Sequence, residues 1–202
     1  MRSVGVDDSW PQLVRRVQGG DERAFAVLWR RHHAALVRYL EIVGGRDQAE
    51  DLASDTWISV ARALPRFQGS ETGFKSLLFT TARSRLIDGA RRAQARPQVI
   101  RSLDGIAEPS DDQDPASGIE RAEATRAALT LIARLPRGQA EVVALRVVAG
   151  LDNGEVALIV GRSNGAVRVA YSRGLAALAE LVDRPDRGTA ARVTDPTSLT
   201  FR

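Results

Sequence analysis

The chain has 202 residues, of which 44% are hydrophobic, so it is long enough for one or two globular domains. It contains no cysteine, which excludes disulfides, thiol chemistry and cysteine-ligated zinc and suits a reducing compartment. No run of about 18 apolar residues occurs and the N-terminus lacks an apolar signal segment, so we expect a cytoplasmic protein without membrane insertion.

The net charge of +4 is distributed unevenly. Five arginines and one aspartate lie between Arg83 and Arg96, whereas residues 97–118 contain five acidic residues and one arginine. Lys75 is the only lysine. A basic patch is therefore followed by an acidic segment.

Helical periodicity dominates the chain, and no segment alternates as a half-buried strand would, so the sequence predicts an all-α fold. A short helix is expected before Gly19. Asp21 is expected to cap a helix over residues 22–43, which Gly44 and Gly45 end. The predicted buried stripe of this helix contains Phe25, Leu28, Trp29, His32, Leu36, Tyr39, Leu40 and Val43.

Asp47 is expected to open the next helix, over residues 48–64, and Pro65 ends it. Its inward side is predicted to hold Leu52, Ala53, Thr56, Trp57, Val60 and Leu64. Its opposite face places three carboxylates around an isoleucine, in the set Glu50, Asp51, Ser54, Asp55 and Ile58. We call this set the acidic face. It is either a solvated surface or a docking surface for another protein.

A loop over residues 66–72 leads into a helix over residues 73–95. An unstacked DNA base needs a pocket with an aromatic wall and polar groups, and the loop beside Ser84 offers Phe67, Gln68, Gly69 and Ser70. Phe67 is equally compatible with a core position. This helix also carries four arginines, which cannot all face the core. Arginines are natural ligands of DNA phosphates, and the four are Arg83, Arg85, Arg91 and Arg92.

Prolines among acidic and small residues predict a flexible linker over residues 96–118. It divides the chain into a first helical bundle, residues 1–95, and a second one, residues 119–182. The remainder, residues 183–202, is predicted to be a poorly ordered tail. Within the second bundle, helices over about 119–135 and 139–149 are expected first, separated at Pro136.

Residues 151–178 are typical of a helix-turn-helix. Asp152 and Glu155 have the spacing of a capping box, Gly161 suits the turn, and Ser163 can cap the second helix. One stripe of that helix holds Val167, Tyr171, Leu178 and Val182, and the opposite face holds Arg168, Val169, Ser172 and Arg173. Tight helix pairs of this kind also occur in ordinary bundles.

The start of the second helix suits contacts with DNA backbone phosphates, through Arg162, Ser163 and Asn164.

His32 and His33 do not predict a metal site, because neighbouring residues of a helix point apart. The sequence therefore predicts no metal, no cofactor and no catalytic residues.

Two stretches of the chain resemble the extracytoplasmic-function sigma factors, the two-domain sigma subunits of bacterial RNA polymerase. The first stretch includes GDERAFAVLWRRHHAALVRYL, AEDLASDTW, ARALPRF and FKSLLFTTARSRLIDGARR. The second is LPRGQAEVVALRVVAGLDNGEVALIVGRSNGAVRVAYSRGLAAL. They cover residues 20–95 and 135–181, in the family's order and with a linker of suitable length.

The resemblance implies a sigma factor that binds core polymerase, through its β and β′ subunits, and promoter DNA. The acidic face would dock on the clamp helices of β′. The loop at Phe67, with Arg83, Ser84, Arg91 and Arg92, would bind the -10 element and its flipped base. The face with Arg168 and Arg173 would read the -35 element. The acidic linker would be a spacer or thread towards the RNA exit path, and an anti-sigma factor is a candidate partner.

Three residues depart from the family's pattern. Leu77 stands where the family usually has Trp, Ser84 where it often has Asn, and Ala170 where many relatives carry Arg.

Two other functions compete with that of a sigma factor. A free-standing helix-turn-helix regulator would bind DNA without polymerase. An enzyme built on the first bundle would lack both a ligand cluster and a phosphate-binding glycine loop.

Overall fold

The computed structural model describes residues 9–94 and 115–183, which form helices and short turns without a strand. The all-α prediction is therefore confirmed. Most of the predicted linker and nearly all of the predicted tail fall on residues 95–114 and 184–202, outside the described part. No helix of the described part is both long and apolar enough to cross a membrane.

Eight α-helices follow one another in these described ranges, with a 3-10 turn at Leu64–Arg66 before the fourth. Their bounds are α1 Trp10–Gln18, α2 Glu22–Gly44, α3 Arg46–Ala63, α4 Glu71–Gln94, α5 Pro115–Ala133, α6 Arg137–Val147, α7 Asn153–Val160 and α8 Asn164–Asp183.

The start of α2 is the one that the sequence predicts. The carboxylate of Asp21 accepts hydrogen bonds from the backbone N–H groups of Arg23 and Ala24, at 3.0 and 3.1 Å. A hydrogen bond from the side chain of Arg16 lowers the pKa of Asp21. Gly45, with a φ of 91°, follows the last residue of α2 and turns the chain into α3.

Aromatic rings fill the first bundle, which consists of α1 to α4. Phe74 of α4 is fully buried, and its ring lies 5.5 Å from Trp10, 6.3 Å from Trp57 and 5.9 Å from Phe67, measured between centroids. His32 of α2, also buried, lies 5.2 Å from the same ring. The predicted place of His32 in the apolar stripe is thus confirmed.

Two expectations for the first bundle are wrong. Trp29, predicted in the buried stripe of α2, is 38% exposed. It lies at the edge of that stripe and stacks on His33, with centroids 4.0 Å apart. Asp47 does not cap α3, because the helix begins one residue earlier and Gly45 occupies the cap position. The carboxylate lies in the first turn instead, where the positive helix end favours it.

The second bundle consists of α5 to α8. It begins at Pro115 rather than near residue 119, and proline suits the first turn of a helix. Val182, predicted on the stripe of α8, is 62% exposed. It lies in the last turn of the 20-residue α8, one residue before the end of the helix.

The two bundles pack against each other. Helix α2 contacts α5 and α6, and α4 contacts α7, so that buried side chains from both bundles form one apolar cluster. Four consecutive residues of α6, from Val142 to Leu145, are buried. Four consecutive buried residues require neighbours on more than one side of the helix, and here these include α2 of the other bundle and α8 of its own.

Gly174 of α8 is needed for the close approach of α8 to α6. A carbon added at Gly174 would lie 2.7 Å from Cγ2 of Val143, a stiff β-branched side chain. We expect Gly174→Ala to lower the free energy of unfolding by about 1–2 kcal/mol, because overpacking outweighs the gain in helix propensity. Urea unfolding of the variant and the wild type would measure this difference in the free energy of unfolding. Gly165→Ala, in the same helix but facing open space, should not destabilise the fold, and equal midpoints for the two variants would contradict the packing argument.

His32 makes stability depend on pH. Burial lowers the pKa of His32 to about 4, and the nearby cations of Lys75 and Arg31 act in the same direction. Between about pH 6.5 and 4 the unfolded chain binds a proton that the folded chain does not, so stability falls as the pH falls, by at most about 3 kcal/mol. Urea unfolding across this range should show a smaller loss for His32→Gln than for the wild type. An identical slope would contradict the assignment.

Candidate nucleic-acid interface

Local hydrogen bonds set the geometry of the helix-turn-helix. The carboxylate of Asp152 accepts from the N–H of Glu155 at 2.9 Å, and the Glu155 carboxylate accepts from the N–H of Asp152 at 2.6 Å. Gly161 has the left-handed backbone of a sharp turn, with φ 67° and ψ 39°. The hydroxyl of Ser163 accepts from the N–H of Ala166 at 3.2 Å and so caps α8. The predicted capping box, turn and cap are all confirmed.

Helix α8 presents its predicted reading face to the outside. Val167 is fully buried and Gly174 is buried against α6, on the side away from solvent. The four residues predicted to read DNA are all exposed: Arg168, Val169, Ser172 and Arg173. An exposed helix face with two guanidinium groups has the shape and chemistry to enter a major groove.

The residues at the start of α8 are exposed as well, namely Arg162, Ser163 and Asn164. The guanidinium of Arg162 lies beside the first turn of α6, since a carbon added at Gly138 would be 3.4 Å from its Nη2. This part of the surface combines a cation with the positive end of a helix, which favours a phosphate group.

Arg146 holds the helix-turn-helix together, and the sequence reasoning missed it. Its Nη1 donates to the carbonyl of Leu151, at the turn between α6 and α7. Its guanidinium also lies over the ring of Tyr171 in α8, 5.2 Å from the centroid. Arg146 thus connects α6 with the turn before α7 and with α8, and no spacing in the sequence indicates these two contacts.

The loop at residues 67–70 is positioned by α1. Nε1 of Trp10 donates to the carbonyl of Gly69 at 2.8 Å, and Nε2 of Gln18 donates to the carbonyl of Phe67 at 2.7 Å. These partners are 59 and 49 residues apart, so the sequence pattern did not relate them. Phe67 is half-buried and packs against the core, and the neighbouring Gln68 and Ser70 are exposed.

The arginines of α4 lie in different surroundings. Nε of Arg83 donates to Oε1 of Glu141, on α6, at 2.7 Å, and the two side chains are 29% and 16% exposed. Nη2 of Arg85 donates to the hydroxyl of Ser59 at 2.7 Å. Ser84, near the middle of α4, is exposed, and so are Arg91 and Arg92 near its end.

The acidic face of α3 is exposed along its whole length, from Glu50 and Asp51 to Ser54, Asp55 and Ile58. Ile58 is 52% exposed, whereas the opposite side of the helix is buried. Oε2 of Glu50 lies 3.6 Å from Nε2 of His33, so the stacked Trp29 and His33 border this face.

The two histidines have separate surroundings. Nε2 of His32 lies 3.7 Å from Oε1 of Glu71, whereas Nε2 of His33 faces Glu50. Among the residues that the structure describes, no group of three or more His, Cys, Asp or Glu side chains is placed to hold a metal ion.

Comparisons with known proteins match both bundles. Residues 28–96 match the family Sigma-70 region 2, and residues 125–178 match Sigma-70, region 4. The chain is 32% identical over 180 residues to ShbA of Streptomyces griseus, described as an ECF RNA polymerase sigma factor, covering 85% of this chain and 94% of ShbA. It is 30% identical over 174 residues to BldN of Streptomyces coelicolor, a second protein so described, covering 85% of this chain and 65% of BldN.

A solved structure shares the fold. CnrH in complex with the cytosolic domain of CnrY matches with a TM-score of 0.59 and 24% sequence identity, covering 87% of this chain and 98% of CnrH. At this identity the likeness concerns the arrangement of helices alone.

Proposed function

This chain belongs to the extracytoplasmic-function (ECF) RNA polymerase sigma factors, and from that membership we propose how its two bundles direct core polymerase to promoters. Sigma factors of this family bind the polymerase core and promoter DNA. One observation carries the proposal. An exposed acidic face lies within the region 2 match, and an exposed arginine-bearing helix face lies within the region 4 match.

The acidic face of α3 is the proposed docking surface for the clamp helices of β′. Three carboxylates give it a negative potential that a basic partner surface complements, and Ile58 supplies apolar area at its centre. The side chains are exposed and need no rearrangement of the bundle in order to bind.

The loop at residues 67–70 and the end of α4 are the proposed binding site for the -10 element. The half-buried ring of Phe67 would supply an aromatic wall for an unstacked base, and the exposed Gln68 and Ser70 offer hydrogen-bonding groups. Arg91 and Arg92 would contact phosphates, and Arg83 would join them when it is released from Glu141. Because hydrogen bonds from α1 anchor the loop, the loop itself needs no rearrangement before DNA binds.

The -35 element would be read by the exposed face of α8. Arg168 and Arg173 would each contact a base edge, and Val169 and Ser172 would fit between them. Arg162, Ser163 and Asn164 would hold the backbone phosphate at the start of the helix. The two sites together set the distance between promoter elements, since one chain must reach both.

We propose no catalytic role for the chain itself and a location in the cytoplasm, where the polymerase acts. An anti-sigma factor remains an expectation from the family resemblance. A free-standing regulator is not favoured, because the chain matches region 2 as well as region 4.

Reconstituted transcription tests the proposed function. Mapping of transcript starts after overexpression identifies a promoter, on which the purified chain is then combined with core polymerase. Initiation at the mapped start is expected with the chain and not with core alone. Tight binding of the chain to the same duplex without polymerase, together with no initiation, would contradict the sigma factor assignment and support a free-standing regulator.

A further inference from the structure

Both ends of α1 hold the loop at residues 67–70. Trp10 is the first residue of α1 and Gln18 is the last. Besides the hydrogen bond from Trp10 to the carbonyl of Gly69, Nε2 of Gln18 donates to two carbonyls, those of Leu64 at 3.1 Å and Phe67 at 2.7 Å. Three backbone carbonyls of the segment between α3 and α4 are therefore bound by side chains of one helix.

The core fixes the direction of the N–H group of Trp10. The indole ring packs on the buried ring of Phe74, with centroids 5.5 Å apart, and lies edge-on to His32 at 6.4 Å. The ring of Phe67 packs on the same Phe74 ring at 5.9 Å. Because the packed indole is already ordered, its hydrogen bond to the loop immobilises few additional groups.

The backbone of the loop and the ring of Phe67 are coupled. A carbon added at Gly69 would lie 3.1 Å from Cζ of Phe67, so the backbone passes close to the tip of this ring. At the end of the loop, the hydroxyl of Ser70 accepts from the N–H of Gly73 at 3.2 Å, in the first turn of α4. A displacement of the Gly69 carbonyl would therefore disturb both the aromatic wall and the polar groups proposed to receive a base.

We propose that Trp10 and Gln18 are positioning residues for the -10 element. They hold residues 67–70 in one conformation and so set how strictly the loop discriminates among bases, without contacting DNA themselves. This role rests on the proposed function, because it requires the loop to receive the unstacked base. A loop that is free to adjust accommodates a wrong base at lower cost, so the loss of a support reduces selectivity more than affinity.

Two substitutions remove the supports and retain the apolar packing. Trp10→Phe removes the Nε1 donor and keeps an aromatic ring beside Phe74, and Gln18→Leu removes the amide at similar size. Gln48→Leu is the matched control, because Gln48 is exposed in the first turn of α3, whereas the loop follows the end of that helix. All variants are compared as holoenzymes with core polymerase.

The probe is a fluorescein-labelled single strand with the non-template sequence of the -10 element at the mapped promoter. Replacing each of its nucleotides in turn by an abasic one identifies the position at which the wild type loses most affinity, which is that of the captured base. Strands with each of the four bases at this position then give the base preference as a ratio of dissociation constants.

Trp10→Phe and Gln18→Leu are each expected to reduce the base preference about 3- to 10-fold, as for the loss of one or two hydrogen bonds, and to bind the abasic strand as the wild type does. Gln48→Leu should retain the preference. If thermal unfolding shows that one variant is destabilised, the other provides the test.

Two results would overturn the proposal. A variant that keeps the wild-type preference overturns the role of the residue that it replaces. Equal losses of affinity for the abasic and the complete strand would do the same, because they indicate damage to the bundle or a loss of phosphate contacts.

Failure of the proposed function would look different. The wild type would then not initiate with core polymerase at the mapped promoter, or joint replacement of Gln68 and Ser70 with alanine, which alters the loop directly, would leave the base preference intact. When the wild type initiates and this loop variant loses the preference, an unchanged preference in Trp10→Phe and Gln18→Leu contradicts the role of α1 alone.

Discussion

Replacing both Asp51 and Asp55 with arginine should weaken binding to core polymerase by about 100-fold or more. Both carboxylates lie on the exposed acidic face of α3, so reversing their charge places like charges against the basic partner surface. Neither side chain is buried, and the free energy of unfolding should therefore change little. Fluorescence anisotropy with labelled protein and purified core polymerase would measure the loss.

A control with the same change in charge separates docking from general electrostatics. Glu123 and Glu180 are exposed acidic residues of the second bundle, and their replacement with arginine alters the net charge equally. This variant should bind core polymerase with nearly wild-type affinity. If both variants lost binding to the same extent, net charge and not the acidic face would govern the interaction.

Replacing Arg173 with alanine should reduce the preference for the correct -35 element by about 10- to 100-fold, because one arginine fork on a guanine contributes roughly 1–3 kcal/mol of discrimination. Arg168→Ala should have an effect of similar size. Both side chains are exposed on the same face of α8, and the residues of α8 that pack in the bundle lie on its buried face, so the fold should be unaffected. The measurement is competition between the promoter and a version with a scrambled upstream element, with holoenzyme at fixed salt.

Arg126→Ala is the matched control, since Arg126 is an exposed arginine of the second bundle on α5. It should leave the preference unchanged. Arg173→Ala should also leave binding to core polymerase unchanged. Loss of core binding in Arg173→Ala, with the preference for the upstream element retained, would mean that α8 contacts the polymerase and that another surface reads DNA.

Local patterns in the sequence predicted most of the helices and the helix-turn-helix correctly. Asp21, Asp152 and Ser163 each form a cap that depends on residues at most three positions away. Such contacts can be predicted because a short segment contains both partners. The exposed acidic face of α3 was equally predictable, since helical periodicity separates it from the buried side.

Trp29 and Val182 show where periodicity stops being sufficient. Each lies on or near an apolar stripe, yet Trp29 is at the edge of its stripe and Val182 is in the last turn of α8. Whether such a residue is covered depends on the length and direction of neighbouring helices. Neither property is contained in the pattern of one helix.

By itself, the sequence determined the all-α fold, most helix ends and the two exposed faces proposed to bind polymerase and duplex DNA, because each of these follows from contacts within one helix or one turn. Only the tertiary structure decided that Trp10 anchors the loop at Gly69 and that Arg83 pairs with Glu141, residues 59 and 58 positions apart. Helix α6 explains the difference. Its apolar residues are not confined to one stripe, so the sequence does not identify which neighbour packs on which side. Only the packing of α2 against it shows where the second bundle lies.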